Sequence, residues 1–276
     1  MNHVNRISHR LSSLKQHGKT ALIPYITAGD PYPDLTVEIM HLLVDEGADL
    51  IELGVPFSDP MADGPVIQKA VERALAHQVS LKQVLSMVSR FREQDKLTPV
   101  ILMGYLNPVE AMGFENFARY AQEAGVDGVL TVDMPPEESE GYAEALELHE
   151  LERIFLVSPT TPESRLTAVN HLGSGFVYYV SLKGVTGKGT LDASDVASHV
   201  TQLRAKVNLP VGIGFGIRDA DSAYTMAKLG DAVIIGSALV SQVEKHFGDP
   251  SATKQALVEQ MRIFKQAIAR ADQGDK

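Results

Sequence analysis

The sequence predicts a protein of the α/β class in which eight parallel strands, each followed by a helix, close into a single (β/α)8 TIM barrel. Short runs that are apolar on nearly every residue alternate with longer amphipathic runs, and no linker rich in Pro, Gly or Ser interrupts them. An open doubly wound sheet is the alternative. It usually has fewer strands, and the G-x-G-x-x-G turn expected after its first strand is missing. We therefore expect residues 1–276 to form one domain.

The strand candidates are short and apolar, as parallel strands covered on both faces should be. In chain order they are Ala21–Thr27, Leu50–Gly54, Val100–Tyr105, Gly128–Val132, Ile154–Ser158, Phe176–Ser181, Val211–Phe215 and Ala232–Ile235. Between them, apolar residues recur at the spacing of one helix face, and Gly47 and Gly125 end two of these helices.

Additional helices are predicted at three places in the chain. An N-terminal helix should cover the N-terminal end of the barrel with one apolar face, formed by Ile7, Leu11 and Leu14. Residues 65–95, after the second strand, should form two helices, with Ser80 as the N-cap of the second. Another helix, Ala238–His246, should follow the eighth strand, with Ser237 as its cap.

Composition limits the class of protein and its partners. The net charge is −10 and the pI is near 5.4, without a basic cluster, so we expect no nucleic-acid partner. Cysteine is absent, which excludes disulfides and thiolate nucleophiles. The N-terminus does not resemble a signal peptide, and no apolar run approaches the ~20 residues that span a bilayer. We expect a cytoplasmic protein that has no membrane partner.

Two carboxylates follow the second strand, where an active site of this architecture should lie. Glu52 stands inside the apolar run 49–54, and Asp63 comes eleven residues later in a long loop. A buried carboxylate must be paired, neutral or functional. The structural alternatives are that Glu52 pairs with a Lys or Arg elsewhere in the chain and that Asp63 caps the helix beginning near Pro65.

Glycines follow the seventh and eighth strands, and such loops form the usual phosphate site of barrels. Gly214 and Gly216 lie in one loop, and Gly236 precedes Ser237 in the other. Glycine lets backbone N–H groups approach an anion, and the helix after Ser237 favours negative charge at its N-terminus. The two loops together predict a phosphorylated ligand, although each glycine pair alone is also compatible with a plain turn.

The other strand ends predict an apolar pocket and a mobile loop. The strand-end residues are mostly apolar or aromatic, which suits a flat apolar group but also suits core packing: Tyr25, Met103, Tyr105, Leu130 and Tyr178. The segment 181–190 has three glycines and two threonines, and is either a lid or an ordinary surface loop. Asp133, before two prolines, is more typical of a turn. None of the nine histidines lies at a strand end, which argues against a histidine base or a His-ligated metal.

The sequence resembles the tryptophan synthase alpha subunit family along essentially its whole length. The most specific motif is Glu52-Leu-Gly-Val-Pro-Phe-Ser-Asp-Pro-Met-Ala-Asp-Gly-Pro65. Further matches in order and spacing are Pro24-Tyr-Ile-Thr-Ala-Gly-Asp-Pro31, Gly184-Val-Thr-Gly187, Gly214-Phe-Gly-Ile217 and Gly236-Ser237.

The resemblance implies a lyase that needs no cofactor of its own and no metal, and that cleaves indole-3-glycerol phosphate to indole and glyceraldehyde 3-phosphate. It assigns the catalytic roles to Glu52 and Asp63. It implies phosphate binding by Gly187, Gly214, Gly216, Gly236 and Ser237, and substrate contacts from Tyr25, Ile67, Met103, Tyr105, Leu130, Tyr178, Thr186 and Phe215. It also implies an αββα complex in which a pyridoxal-phosphate β subunit receives the indole, with residues 55–63 and the loop around Thr186 facing that partner.

This chain departs from the family pattern at two positions, and neither removes a catalytic group. Leu182 stands where some relatives carry Arg, and Tyr25 replaces the more common Phe, which predicts a hydroxyl near the indole. Three rival readings stay open at this stage. They are a Schiff-base aldolase that uses Lys183, a stand-alone indole-releasing lyase, and a barrel kept only for binding or regulation.

Overall fold

Eight parallel strands form a closed barrel and follow one another around it in chain order. The structure is a computed structural model in which residues 5–180, 193–214 and 216–274 are described. The strands are β1 Ala21–Thr27, β2 Ile51–Gly54, β3 Val100–Gly104, β4 Gly128–Thr131, β5 Glu152–Val157, β6 Val177–Val180, β7 Val211–Gly214 and β8 Ala232–Ile235. The predicted barrel is therefore confirmed, and the open sheet is wrong because β1 pairs with β8.

Helices connect the strands and cover the barrel. They are α1 Arg6–Gln16, α2 Thr36–Asp45, α3 Pro65–Ala76, α4 Leu81–Arg92, α5 Leu106–Met112, α6 Phe114–Ala124, α7 Glu140–Leu148, α8 Glu163–Leu172, α9 Ala193–Arg204, α10 Ala220–Ala227, α11 Ser237–Lys245 and α12 Pro250–Asp272. Within the described ranges, no helix is both long enough and apolar enough to cross a membrane.

The predicted additional helices are present, with one correction at a helix start. α3 and α4 follow β2, and Ser80 caps α4 through a reciprocal capping box with Gln83. After β8, however, α11 begins at Ser237 and its N-cap is Gly236, so the predicted start at Ala238 is wrong. The Ser237 side chain makes no capping bond, which leaves its hydroxyl available for another partner. The sequence also gave no signal for α5, a short helix between β3 and α6.

Helix α1 closes the N-terminal end of the barrel, as predicted. Its buried face belongs to the same apolar cluster as the inward residues of the strands, among them Ile23, Ile101 and Phe176. Aliphatic and aromatic side chains thus fill the N-terminal part of the barrel interior, and among the described residues a ligand can enter from the opposite end.

Three aspartates repeat one arrangement at the N-terminal end. Each precedes an even-numbered strand and accepts a hydrogen bond from a backbone N–H of the strand before it. The bonds are Leu22 to Asp49 (2.9 Å), Val100 to Asp127 (2.7 Å) and Val211 to Asp231 (2.8 Å). Arginine or lysine side chains complete all three sites. This end of the barrel is therefore built from paired charges, as expected of the face that carries stability.

Candidate active site

A cavity of about 650 Å³ opens at the C-terminal end of the barrel. It is bounded by strand ends, by the loops that follow them and by helices α3, α11 and α12. The described residues that line it are Tyr25, Glu52, Asp63, Gly64, Pro65, Val66, Ile67, Met103, Tyr178, Gly216, Ile217, Arg218, Ile234, Gly236, Ser237, Ala238, Ser241, Gln242 and Gln260. The volume and the mixed lining suit a small molecule with one apolar and one polar end.

Glu52 lies on the floor of this cavity without a hydrogen-bond partner. Its position in β2 is level with Tyr25 of β1 and Ile101 of β3, so the side chain points into the barrel. Glu52 is 1% exposed, and neither carboxyl oxygen has a hydrogen-bond partner among the described residues. Burial, and to a lesser degree the Asp63 carboxylate, raise the pKa of Glu52 to about 8. The alternative of a buried pair with Lys or Arg is wrong for the described residues, and Glu52 is suited to hold a proton near neutral pH.

Asp63 faces Glu52 from the loop after β2 and is oriented by Tyr105. The Tyr105 hydroxyl donates to Asp63 Oδ2 over 3.1 Å and accepts from the Ala62 N–H over 3.0 Å. Burial raises the pKa of Asp63, and the Tyr105 hydrogen bond opposes that rise. The N-cap of α3 is Gly64 and no side chain caps that helix, so the proposed capping role of Asp63 is wrong. The carboxylate is therefore aimed into the cavity, opposite a carboxyl of raised pKa.

Two tyrosines on the cavity floor lie over glycines of the neighbouring strands. A Cβ atom added to Gly54 would lie 2.2 Å from the Tyr25 hydroxyl, and one added to Gly214 would lie 2.1 Å from the Tyr178 hydroxyl. The Tyr25 hydroxyl, which the sequence placed near the indole, bonds Thr27 Oγ1 at 3.2 Å. Gly214 does not line the cavity, so its visible contribution is room for Tyr178, and its phosphate contact stays a prediction.

The two glycine loops meet on one side of the cavity. Gly216 has φ = +76°, a conformation that glycine adopts readily, and it lines the cavity with Gly236 and Ser237. The carbonyl of Gly236 accepts from the N–H groups of Leu239 and Val240. The first N–H groups of α11, at Ser237 and Ala238, therefore lie beyond the intrahelical ladder and at the cavity wall. Such a helix terminus favours an anion.

Several predicted residues are not brought into the cavity or cannot be placed. Leu130 belongs to the apolar barrel interior below, and Tyr105 stands behind Asp63, so their contacts with substrate remain predictions. Thr186, Gly187 and Phe215 lie outside the described residues, as do Leu182, Lys183 and the whole predicted lid. Ile67 and Met103 line the cavity as expected.

Two further acids have local partners: Asp133, for which the sequence predicts a turn, and Asp59 in the loop after β2. Asp133 accepts from the Leu106 N–H over 2.8 Å and so holds the start of α5. Asp59 accepts from the Ser58 hydroxyl over 2.6 Å on the exposed part of the loop. Every described histidine lies on a helix or directly after one, and within the described residues no cluster of three acidic or histidine side chains forms a metal site.

Sequence patterns did not indicate the polar part of the cavity wall, formed by Arg218, Ser241, Gln242 and Gln260. Arg218 was detectable, because it follows Gly216 by two residues in the predicted phosphate loop. The other three lie on α11 and α12, and nothing in their local sequence marks them as facing a ligand rather than solvent.

Comparison with known proteins gives a consistent result. Residues 11–269 match the family model for the tryptophan synthase alpha chain. The chain is 68% identical to the tryptophan synthase alpha chain of Hydrogenovibrio crunogenus, over 98% of this chain and 99% of that one. It is 57% identical to that of Thioalkalivibrio sulfidiphilus, over 96% of this chain and all of the other.

Solved structures agree with the sequence comparison. The crystal structure of tryptophan synthase subunit alpha from Legionella pneumophila superposes with a TM-score of 0.91 at 46% identity, covering 97% of this chain and 99% of that one. A chain of Mycobacterium tuberculosis tryptophan synthase gives a TM-score of 0.86 at 34% identity, covering 96% and 99%.

Proposed function

The chain belongs to the tryptophan synthase alpha chain family, and we propose that Glu52 and Asp63 carry out its reaction in the cavity described above. The chain is a carbon–carbon lyase of tryptophan biosynthesis that cleaves indole-3-glycerol phosphate to indole and glyceraldehyde 3-phosphate. The names of its relatives do not favour a stand-alone lyase. The observation that carries the residue assignment is the buried, unpartnered Glu52 with a pKa of about 8.

Cleavage begins with the transfer of a proton to the indole ring. The ring carbon that bears the glycerol phosphate chain must be protonated before the bond to that chain can break. At neutral pH a carboxyl group with a pKa of about 8 is mostly protonated and can donate this proton as a general acid. Glu52 holds it on the cavity floor, where no protein group within the described residues competes for the proton through a hydrogen bond.

Protonation leaves the ring nitrogen electron-poor, and Asp63 is the group proposed to stabilise it. A carboxylate that accepts the indole N–H places negative charge where positive charge develops. The Tyr105 hydroxyl supports this role, because its hydrogen bond fixes one Asp63 oxygen and favours the ionised form. The other oxygen remains for the substrate.

The second proton transfer restores Glu52. The Glu52 carboxylate takes the proton of the hydroxyl on the side-chain carbon next to the ring. That oxygen forms the aldehyde carbonyl as the carbon–carbon bond breaks, and the bonding electrons return to the ring to give neutral indole. Proton and charge therefore balance over one turnover, with Glu52 acting first as acid and then as base.

The phosphate is proposed to lie at Gly216, Gly236 and Ser237. Support comes from the N-terminus of α11. No side chain caps this helix, and its first N–H groups reach the same wall of the cavity. The apolar residues Ile67, Met103 and Ile234 then surround the indole. Gly187 and Phe215 complete the proposed set from outside the described residues.

A pyridoxal-phosphate β subunit is the proposed partner, in an αββα complex that takes up the released indole. The loop after β2 supports this docking role, because Ser58, Asp59 and Met61 are exposed while Asp63 of the same loop reaches the cavity. Met61 is 79% exposed, an unusual exposure for a large apolar side chain. The proposed location of the complex is the cytoplasm.

Indole release from indole-3-glycerol phosphate tests the proposal, with the chain alone and with a tryptophan synthase β subunit added. We expect slow release that rises sharply with the partner, while equal rates in both conditions would reject the partnership. For the chain alone, Asp63→Asn should lower kcat by about 10²–10³-fold. Asp59→Asn, in the same loop, should leave kcat of the isolated chain within about twofold of the unaltered value. Cleavage at the unaltered rate by Asp63→Asn would reject the role of Asp63.

A further inference from the structure

The proposed substrate carries a phosphate, yet two acidic residues line the cavity, and Asp63 is the one proposed to be ionised. Glu52 and Asp63 both line the cavity, and the chain as a whole has a net charge of −10. A phosphate ester bears ≈ −1.5 to −2 charges near pH 7. Backbone N–H groups supply partial positive charge only, so a full positive charge at the phosphate end would improve binding considerably.

Arg218 is the one Lys, Arg or His among the described residues that line the cavity. It lies in the loop after β7, two residues beyond Gly216, and so at the same wall as Gly236 and Ser237. Its side chain is exposed, and within the described residues no hydrogen bond or ion pair engages the guanidinium. The guanidinium N–H groups are therefore free for a ligand within the described residues, although the Arg218 charge also acts through space on Asp219. The hydrogen bonds from Ser222, and to a lesser degree this charge, lower the pKa of that carboxyl.

The backbone at Arg218 is anchored although the side chain is not. The Arg218 N–H donates to Ser222 Oγ over 3.0 Å at the start of α10. The neighbouring Asp219 is the nearest acid in sequence, but it is the N-cap of α10 and accepts hydrogen bonds from the N–H and hydroxyl of Ser222. The capping box thus holds the Arg218 backbone at the cavity rim and engages Oδ1 of Asp219 with Ser222 rather than with the Arg218 side chain.

We propose that Arg218 binds the phosphate group of the substrate and gives the cavity its preference for phosphorylated over non-phosphorylated ligands. A guanidinium presents five N–H donors in a fork that matches phosphate oxygens, so it can bind the phosphate together with Gly216, Gly236 and Ser237. The inference rests on the proposed phosphate end of the cavity and adds a residue that sequence patterns did not assign to it.

Calorimetric binding to the full chain tests the proposal without turnover. The two ligands are sn-glycerol 3-phosphate, which has the phosphate group but no indole ring, and indole, which has no phosphate group. Arg218→Ala should weaken glycerol 3-phosphate binding by about tenfold, as expected for one exposed charge-assisted contact, and Arg218→Lys should recover part of that loss. Indole binding should be unchanged in both variants. The matched control is Arg90→Ala, which removes another exposed arginine, on α4, that does not line the cavity, and should change neither affinity.

Glycerol 3-phosphate affinity within about twofold of the unaltered chain in Arg218→Ala would overturn the proposal, as would an equal loss of indole affinity. Steady-state cleavage gives an independent readout. Because the phosphate is held alike in the ground and transition states, KM should rise about tenfold in Arg218→Ala while kcat stays within about twofold. A fall in kcat at constant KM would contradict phosphate binding. If the unaltered chain released no indole, the proposed function would fail, while the calorimetric result for Arg218 would still stand.

Discussion

The two ends of the barrel hold buried carboxylates in opposite states. At the N-terminal end, Asp127 accepts hydrogen bonds from Arg6, Arg92 and the backbone N–H of Val100, each at 2.7 Å. At the C-terminal end, Glu52 is buried at least as deeply, and no group in the part of the chain that the structure describes is hydrogen-bonded to it. Burial raises the pKa of both groups, but two arginines oppose the rise at Asp127, and the Asp63 carboxylate adds to it at Glu52.

The difference separates structural from chemical use of the same functional group. Another buried acid at the C-terminal end does have a partner, because Asp30 accepts two hydrogen bonds from Arg73, at 2.6 and 2.8 Å. The absence of such a partner at Glu52 carries an energetic cost, because burying an unpaired polar group is unfavourable. An unpaired acid of raised pKa in a cavity is the pattern expected of a catalytic group.

The largest expected effect is on the rate after Glu52→Gln. The amide keeps the shape of the side chain but can neither donate nor accept the transferred proton, so kcat for indole release should fall by about 10³-fold or more. Discontinuous or continuous assays of indole release by the full chain would measure this fall in kcat. Substrate binding should persist, and Glu123→Gln, an exposed change on α6, serves as the control. A Glu52→Gln protein that cleaves at the unaltered rate would remove Glu52 from the mechanism.

The corresponding substitution at the N-terminal end of the barrel, Asp127→Asn, should lower stability and leave activity unchanged. Asp127→Asn leaves two arginines, one of them buried, without their carboxylate, so the free energy of unfolding should fall by about 3–5 kcal/mol. Urea unfolding would measure the loss, with kcat of the folded fraction unchanged. Glu123→Gln breaks an exposed pair with Arg119 and should cost less than about 1 kcal/mol. If the two losses were equal, the paired state of Asp127 would have no structural importance.

Glu52→Gln should also change how stability depends on pH. The carboxyl of Glu52 has a pKa of about 8 in the folded chain against 4.5 for the ordinary group, so it binds its proton more tightly when the chain is folded. Unfolding then releases a proton between these pH values, and the unaltered chain loses stability as pH rises through that window. The glutamine variant lacks this loss.

Urea unfolding across the same window measures this difference. The stability advantage of Glu52→Gln should grow from about pH 4.5 to about pH 8 and then level off at a few kcal/mol, at about 1.4 kcal/mol per unit of pKa shift. Glu123→Gln again provides the control. A constant difference at all pH values would show that folding does not raise the pKa of Glu52.

The smallest effect should follow Tyr105→Phe. Loss of the hydroxyl removes the hydrogen bond that keeps the pKa of Asp63 down, so that pKa should rise. Because Asp63 must be ionised to stabilise the indole nitrogen, the acid limb of the kcat profile should move to higher pH, and kcat near neutrality should fall by less than about tenfold. An unmoved acid limb would mean that Tyr105 does not tune Asp63.

Much of the fold was predictable from sequence, because the signals that encode it are local. Apolar runs, helix-face spacing and the Ser80 N-cap depend on residues within a few positions of one another, and all three were confirmed. Helix α5 was missed because its stability depends on a distant group, the Asp133 carboxylate that holds its first turn. The start of α11 was misplaced by one residue because glycine, rather than serine, takes the cap.

By itself, the sequence determined the order of the elements, the end of the barrel at which chemistry should lie, and the types of residue available there. Only the tertiary structure decided which acid lacks a partner, because that depends on every strand around Glu52. It likewise revealed that Gly54 and Gly214 make room for the rings of Tyr25 and Tyr178, and that Arg218 lines the same cavity as Gly236 and Ser237. Each of these facts joins residues that are distant in the chain, and no local pattern records such contacts.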